Sequence, residues 1–439
     1  MKLVLSTCGL VLLASVAEAA NLSEIYRQAR QHDAVYASAQ AAYKAGLEVL
    51  PQGRALMLPT LNLSANLRHA ESDSDASASQ SSDTHGFSLS LSQPIYRKQN
   101  LETLEQAKLQ VTVVESQLKA AEQDLILRVA RAYFDVLLAE DNLATAGSQK
   151  SAIAEQLALA KKSFEVGAAT VVDTHEAQAR FDLTVAQEIA AGNDLEVKRR
   201  TLEKLIQAEA PRLAGLTGRS GIILPQPNDL PSWIKQAEEN GLAVVIAQAA
   251  GEIARRELEK QRGGHHPTLD LAISYADSRN GSVAGVSGVD SQSGTIGLEF
   301  AWNLYQGGAQ ESRIRAAVAG QEQARANLQE ARRQAALDSR QAFLGVVSGD
   351  ARVKALEQAV LSGETQLKST KLGLEVGVRT AVDVLNAQQL LYAAQRDLAA
   401  ARYDALLSGL GLKAAAGGLT EADLVAVDGL LAERTTAGK

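Results

Sequence analysis

The chain has 439 residues, 46% hydrophobic, 22% charged and only 4% aromatic, with 8 prolines. That length suggests two or three domains, and few aromatics with abundant alanine suit closely packed helices better than a thick globular core. A net charge of −7 argues against nucleic acid as a partner.

The first stretch is "MKLVLSTCGLVLLASVAEAA". Lys2 is a basic n-region, residues 3–16 form an apolar run, and Ala17-Glu18-Ala19 is a small-residue cleavage site. Residues 1–20 therefore read as a secretory signal peptide rather than an anchor, because the apolar run is short and stops at Glu18. Cys8 is the only cysteine, so cleavage leaves no thiol and no disulfide. "LSTC" at 5–8 is a poor lipid-attachment box: almost no n-region precedes it, and the apolar run continues after it. No later stretch offers the roughly 18 consecutive apolar residues of a transmembrane helix.

From Pro59 the pattern alternates. Leu61, Leu63, Ala65 and Leu67 fall on one face, with Asn62, Ser64, Asn66 and Arg68 on the other. After Gly86, Phe87, Leu89, Leu91 and Ile95 alternate with Ser88, Ser90 and Ser92, and the polar run "ESDSDASASQSSD" lies between the two segments. The spacing predicts a hairpin over 60–96, two strands of about ten residues joined by a hydrophilic loop.

Residues 99–164 contain no proline and one glycine, Gly147. Leu104, Val111, Leu118 and Leu125 recur every 7 residues, with Ala107, Val114 and Ala121 between them. That is a heptad seam, and a helix of this span would be about 100 Å long. A second helical run over 171–208 completes a helical hairpin at 98–208. The first structural unit is thus 21–220: a helix, a strand hairpin and a long helical hairpin.

Residues 221–416 repeat the scheme. Leu269, Leu271, Ile273 and Tyr275, then Ile296, Leu298, Phe300, Trp302 and Leu304, alternate with small or polar residues, which predicts a strand hairpin over 268–305 around "SRNGSVAGVSGVDSQSG". Helices over 310–374 and 381–412 follow, then a C-terminal tail at 417–439. The repetition is literal. "EVGAATVVDTHEAQ" at 165–178 and "EVGVRTAVDVLNAQ" at 375–388 share 8 of 14 positions, 210 residues apart. "LPTLNLSANL" at 58–67 answers "HPTLDLAISY" at 266–275, "PIY" at 94–96 answers "NLY" at 303–305, and "RQARQHDAVYASAQAA" at 27–42 answers "KQAEENGLAVVIAQAA" at 235–250. Four landmarks in one order and nearly one offset indicate a tandem duplication of a unit of about 200 residues.

Strands of about ten residues with one apolar face suit a membrane barrel. Four strands cannot close one, because about eight is the practical minimum. In lipid an open edge costs several kcal/mol for each unpaired backbone group. Several chains would have to share the barrel. Three would supply twelve strands; two or four stay open on this reasoning.

The duplicated phrase joins the two long helices of each unit. Gly167 and Gly377 stand where a helix must end, in a conformation that glycine tolerates. Thr170 and Thr380 are expected N-caps, with Asp173 and Asp383 at the third helical position, where a carboxylate suits the free N–H groups and the helix dipole.

The sequence resembles the TolC family of outer-membrane exit ducts over nearly the whole mature chain. The resemblance rests on the two "VGxxTxVDxxxAQ" turns, "RAYFDVLLA" at 131–139, "LYAAQRDLAAARYDALLSGLGLKAA" at 391–415 and "LTEADLVAVDGLL" at 419–431. It implies a homotrimer with a twelve-stranded outer-membrane barrel open to the outside, continued by a periplasmic tunnel of twelve long helices. The tip turns, carrying Val166, Gly167 and Thr170 and then Val376, Gly377 and Thr380, would dock on a periplasmic adaptor and, through it, on an inner-membrane ABC exporter or drug-efflux pump. Six equivalent turns per trimer would explain why the phrase is written twice. The resemblance also implies a constriction at the tip lined by two acidic positions. One matches Asp383, a possible site of cation block; the other falls on Asn386. A closing latch would pair Arg379 with Asp173, and the aromatic residue that helps it in the family is Leu374 here.

The leading expectation is a passive conduit for secreted proteins, small toxic compounds or both. A secreted periplasmic coiled-coil scaffold or adaptor without a barrel is the alternative, and the two alternating hairpins count against it. An enzyme is not expected. His265-His266 is the only adjacent histidine pair and has no companion ligands, so neither a metal nor a cofactor is expected.

Overall fold

Residues 19–74, 77–216, 224–280 and 290–432 are described in the computed structural model of the chain. The expected signal peptide lies outside them, apart from its last two residues. Ala19 and Ala20 are buried, and Ala20 is tied into the fold: its N–H donates to Arg212 O at 2.8 Å, and its carbonyl accepts from Ala214 N–H at 3.1 Å.

The duplication is visible element by element. The first copy runs α1 (Leu22–His32), α2 (Ala34–Leu47), α3 (Val49–Ala55), β1 (Thr60–Ser74), β2 (Ser77–Tyr96), α4 (Lys98–Glu165) and α5 (Val171–Ile206), followed by the short β3 (Gly215–Leu216). The second runs α6 (Leu230–Asn240), α7 (Leu242–Arg262), β4 (Thr268–Asn280), β5 (Asp290–Ala301), α8 (Ala309–Glu375) and α9 (Ala381–Ala415), then α10 (Glu421–Asp428) and β6 (Leu431–Ala432). The break between α1 and α2 at Asp33 recurs between α6 and α7 at Gly241. None of the described helices is long and apolar enough to cross a membrane.

The two sequence repeats are not the two compact units. One unit takes Met1–Ser38, Ala120–Gly241 and Gln334–Lys439; the other takes Ala39–Lys119 and Leu242–Arg333. Each therefore draws on both copies. The cause is pairing: β2 of the first copy is hydrogen-bonded to β4 of the second, so neither hairpin is a sheet by itself.

In the second of these units the sheet has the order β1-β2-β4-β5, antiparallel throughout. The registers Leu63↔Leu89, Leu89↔Tyr275, Leu91↔Ile273, Ile273↔Ile296 and Leu271↔Leu298 put the apolar positions of all four strands on one face. That face is bare: Leu63 is 71% exposed and Ile296 73%. The other face is small and polar, and Ser64 Oγ lies 2.7 Å from Ser88 Oγ across the ladder. Within the chain β1 and β5 each pair on one side only. Where strand passes into helix, Arg97 forks onto Asp270, Nε to Oδ1 at 2.9 Å and Nη2 to Oδ2 at 2.6 Å.

The hairpins are longer than the alternation predicts. "ESDSDASASQSSD", expected as a loop, is mostly strand, and the ladder continues through Glu71↔Ser81 and Ser72↔Gln80. Backbone pairing needs no apolar side chain, so a strand can run on past its apolar band with no periodic trace. The second expected loop is likewise strand up to Asn280 and again from Asp290; residues 281–289 lie outside the described residues.

The other unit is helical, and its core is built from the motifs that carried the family resemblance. Tyr133 and Phe134 of "RAYFDVLLA" are buried and meet edge to face at 5.6 Å. Phe134 stacks on Tyr403 of "AARYDALLSG", also at 5.6 Å, and Tyr403 Oη donates to Asp141 Oδ2 at 2.7 Å. The C-terminal segment expected as a tail is part of this fold. The Asp428 carboxylate accepts from the free N–H groups of Leu22 and Ser23, at 2.9 Å for Leu22, and so caps α1 from the far end of the chain. Glu421 pairs with Arg27 at 2.9 Å, and β6 pairs with β3.

Candidate functional site

Both duplicated phrases form the same turn. In the first, Gly167 N–H donates to Phe164 O and Ala168 N–H to Ser163 O, at 2.9 and 2.8 Å. In the second, Gly377 N–H donates to Leu374 O and Val378 N–H to Gly373 O, at 3.1 and 2.9 Å. These bonds satisfy the last carbonyls of α4 and α8. They require φ of +76° at Gly167 and +79° at Gly377.

The N-cap of the next helix stands three residues after each glycine. Thr170 Oγ1 accepts from Asp173 N–H at 3.3 Å, and the Asp173 carboxylate accepts from Thr170 N–H at 2.8 Å. Thr380 and Asp383 repeat this box at 3.2 and 2.9 Å. Hydrogen bonds from the threonine hold both carboxyls below the usual carboxylate range, and at Asp383 the nearby Arg379 charge adds to the effect. In each box one oxygen, Oδ2, takes both threonine bonds. Around the turns Val166, Val171, Val172, Val376 and Val378 are exposed, from 49% to 78%.

A β-branched residue at Gly377 would be strained by its backbone alone, since an added Cβ has nothing within 4 Å. Gly377→Val should cost roughly 1–2 kcal/mol. It should speed amide exchange around 374–380 while leaving the strands unchanged. Gly192→Ala in α5, equally uncrowded but not at positive φ, should be neutral or stabilising. Unchanged exchange in Gly377→Val would mean that the turn does not depend on the left-handed residue.

Just above the turns, Ile153, Leu157 and Ala160 of α4, Ala177 of α5 and Leu385 of α9 form a buried cluster, with Phe181 packed against it. This cluster fixes the start of α9 against α4 and α5. Asn386 lies next to it, exposed, and Leu374 is half-buried.

The implied latch does not form inside one chain: among the described residues no ion pair joins Arg379 to Asp173. Arg379 lies over Gly373 instead, where a Cβ would sit 2.7 Å from Arg379 Cγ. Sequence reasoning missed Gly373, although a signal was there. The first copy has Ser163 and Ala169 at the matching places, so the glycine and the arginine depart from the repeat together. It also missed Arg180. That side chain leaves α5, donates through Nη1 to Gln389 Oε1 and through Nη2 to Asn386 Oδ1 at 3.2 Å, and lies 3.5 Å from Glu176. Among the described residues no group of three potential metal ligands occurs. His265 faces Glu311 at 3.2 Å, and His266 lies 3.2 Å from Tyr96 Oη.

A strand hairpin with a bare apolar face, joined to a hairpin of helices 68 and 36 residues long and written twice, is the architecture of an outer-membrane channel with a periplasmic extension. The chain belongs to the outer membrane efflux protein family, whose sequence profile matches residues 25–207 and 233–418. It is 34% identical over 418 residues to the outer membrane protein TolC of Vibrio cholerae, covering 95% of each chain. It is 31% identical over 424 residues to the alkaline protease secretion protein AprF of Pseudomonas aeruginosa, covering 94% of this chain and 88% of that one. The crystal structure of the outer membrane protein VceC from Vibrio cholerae superposes with a TM-score of 0.76 at 20% identity, covering 90% of this chain and 96% of that one, which speaks to the fold alone. The protein is an outer-membrane channel and not an enzyme.

Proposed function

We infer that the protein is the passive exit duct of a tripartite export system, a homotrimer opened at its tip turns by a periplasmic adaptor and an inner-membrane ABC or drug-efflux pump. Its cargo is secreted protein, small toxic compounds or both. The observation that carries this reading is the four-stranded sheet: one face apolar and exposed, both edges free, and the strands running directly into the long helices. Such a sheet is stable in lipid only when its edges are paired by other copies. Apolar positions left bare on the helices point the same way, including Leu337 and Leu344 on α8 at 46% and 52% exposure. Similarity to a protein named for alkaline protease secretion supports protein cargo. Asp383, Asn386, Arg379, Asp173 and Leu374 surround the gate in this reading, and any contact of Arg379 with Asp173 is made between protomers. A secreted scaffold without a barrel gives the apolar face no partner.

The protein extracted from outer membranes in detergent should have the native mass of a trimer. A monomer or dimer that still inserts into bilayers overturns the shared barrel, and recovery in the soluble periplasmic fraction overturns the channel.

A further inference from the structure

We propose that Arg180 is a gate-positioning residue, a strap that ties the start of α9 to α5 and holds Asn386 away from the open pore. The proposal rests on the exit-duct reading for its consequences but on the single chain for its geometry. The guanidinium leaves α5 and spans two acceptors on consecutive turns of α9, Asn386 Oδ1 and Gln389 Oε1. A planar fork suits that spacing, whereas a lysine could reach one acceptor at a time. Beneath the strap, α9 shows a buried face at Val384, Leu385, Ala387 and Gln388, while Asn386 and Gln389 stand on the outer side. Arg180 therefore closes over the packed seam from outside it.

The buried face is itself poorly satisfied. Gln388 is 1% exposed, and its Oε1 has no hydrogen-bond partner. Gln156 Oε1 on α4 is likewise buried and unpartnered. Orphaned acceptors weaken a helix interface relative to an apolar one. A seam weakened inside and held by a strap outside can be released by breaking few contacts. The second copy explains why the strap is single. Position 390, which matches Arg180, is Leu390, and Glu176 is the match of Asn386, so the contact exists only where α5 meets α9.

Asn386 is then not a depleted member of an acidic ring but the acceptor of a neighbouring cation. The consequence for substitution is the reverse of simple charge addition. Asn386→Asp would turn a charge-to-amide contact into an ion pair and tighten the closed state, instead of offering the pore a free carboxylate.

The test is single-channel recording of the full-length protein in planar bilayers. An exposed contact of this kind is worth a factor of about three, so three straps released together should raise the open-to-closed ratio about 30-fold in Arg180→Gln. Arg180→Lys should restore part of the difference. Asn386→Asp should lower the open fraction in the wild-type background and change it little in the Arg180→Gln background. An unchanged open fraction in Arg180→Gln, with a conducting wild type, overturns the strap. So does an equal gain in cation selectivity from Asn386→Asp in both backgrounds, because that carboxylate would then face the pore. If the wild type does not conduct at all, the exit-duct reading falls, and amide exchange of the purified chain decides the strap alone: exchange at 386–392 should speed up in Arg180→Gln, and identical exchange overturns it.

Discussion

Replacing Arg128 with alanine should destabilise the helical unit by about 3 kcal/mol, as expected when one partner of a buried ion pair is removed. Asp33 sits at the break between α1 and α2, and its side chain is 6% exposed. One oxygen accepts from Tyr36 N–H at 2.7 Å and so caps α2; both accept from Arg128, at 2.9 and 3.0 Å. The arginine holds the Asp33 carboxyl below the ordinary carboxylate range and has its own pKa raised in return. Without it a nearly dry carboxylate is left with backbone donors alone. The urea midpoint should fall with little change in slope. Because the folded pKa of Asp33 is depressed, its contribution is present above the unfolded value and fades as pH falls through the folded one. In Arg128→Ala the largest of the contacts that depress that pKa is gone while burial remains, so the pKa should rise and the gap between wild type and variant should narrow in acid. Asp33→Asn combined with Arg128→Met should cost less than Arg128→Ala alone, since no unpaired charge remains. A midpoint unchanged in Arg128→Ala would show the pair to be ornamental.

The parts of the fold legible in sequence were those with a period or a copy. The proline-free run 99–164 matches α4, and along its seam Ala107, Val114 and Leu125 are buried while Leu104, Val111 and Leu118 are half-buried. The turns were legible because glycine, threonine and aspartate each have a local mechanical reason to stand where they do. The strands were legible only across their apolar band: Ser, Asp and Thr beyond it alternate with nothing, so the ladder past Arg68 left no trace. The C-terminal segment was misread for a different reason. Asp428 caps α1 across 406 residues, and no local pattern encodes a partner that distant.

The same limit governs the residues proposed for the gate. Asp383 could be placed from the repeat because its cap lies within its own turn. Arg180 could not, because its partners are on another helix and its own neighbours in sequence are ordinary for an exposed helix face. Gly373 and Arg379 lie between these cases. Comparing the two copies flags them, but only the fold shows that the missing Cβ is what gives the arginine stem its place.

Asp383→Asn should abolish block of the resting channel by polyvalent cations from the periplasmic side, while leaving the tip folded. In the trimeric reading three Asp383 carboxylates face one axis. Each commits Oδ2 to Thr380 and, among the described residues, keeps Oδ1 without a hydrogen bond, so the capping role and the cation-facing role fall on different atoms. An asparagine oxygen can still accept from Thr380 N–H, which separates the two roles in a way that alanine does not. Three like charges in a confined pore concentrate polyvalent cations strongly, and losing all three should weaken block on the order of 100-fold. Asp383→Ala should lose the block and also fray the start of α9. The pH dependence has a definite sign. Within one chain, hydrogen bonds from Thr380 and, to a lesser degree, the Arg379 charge hold the Asp383 carboxyl below the usual carboxylate range, while three such carboxylates around one axis would raise one another's pKa. Block should therefore weaken as pH falls through the carboxylate range. A block that is independent of pH there, or one that Asp383→Asn leaves intact, would put the constriction on other residues.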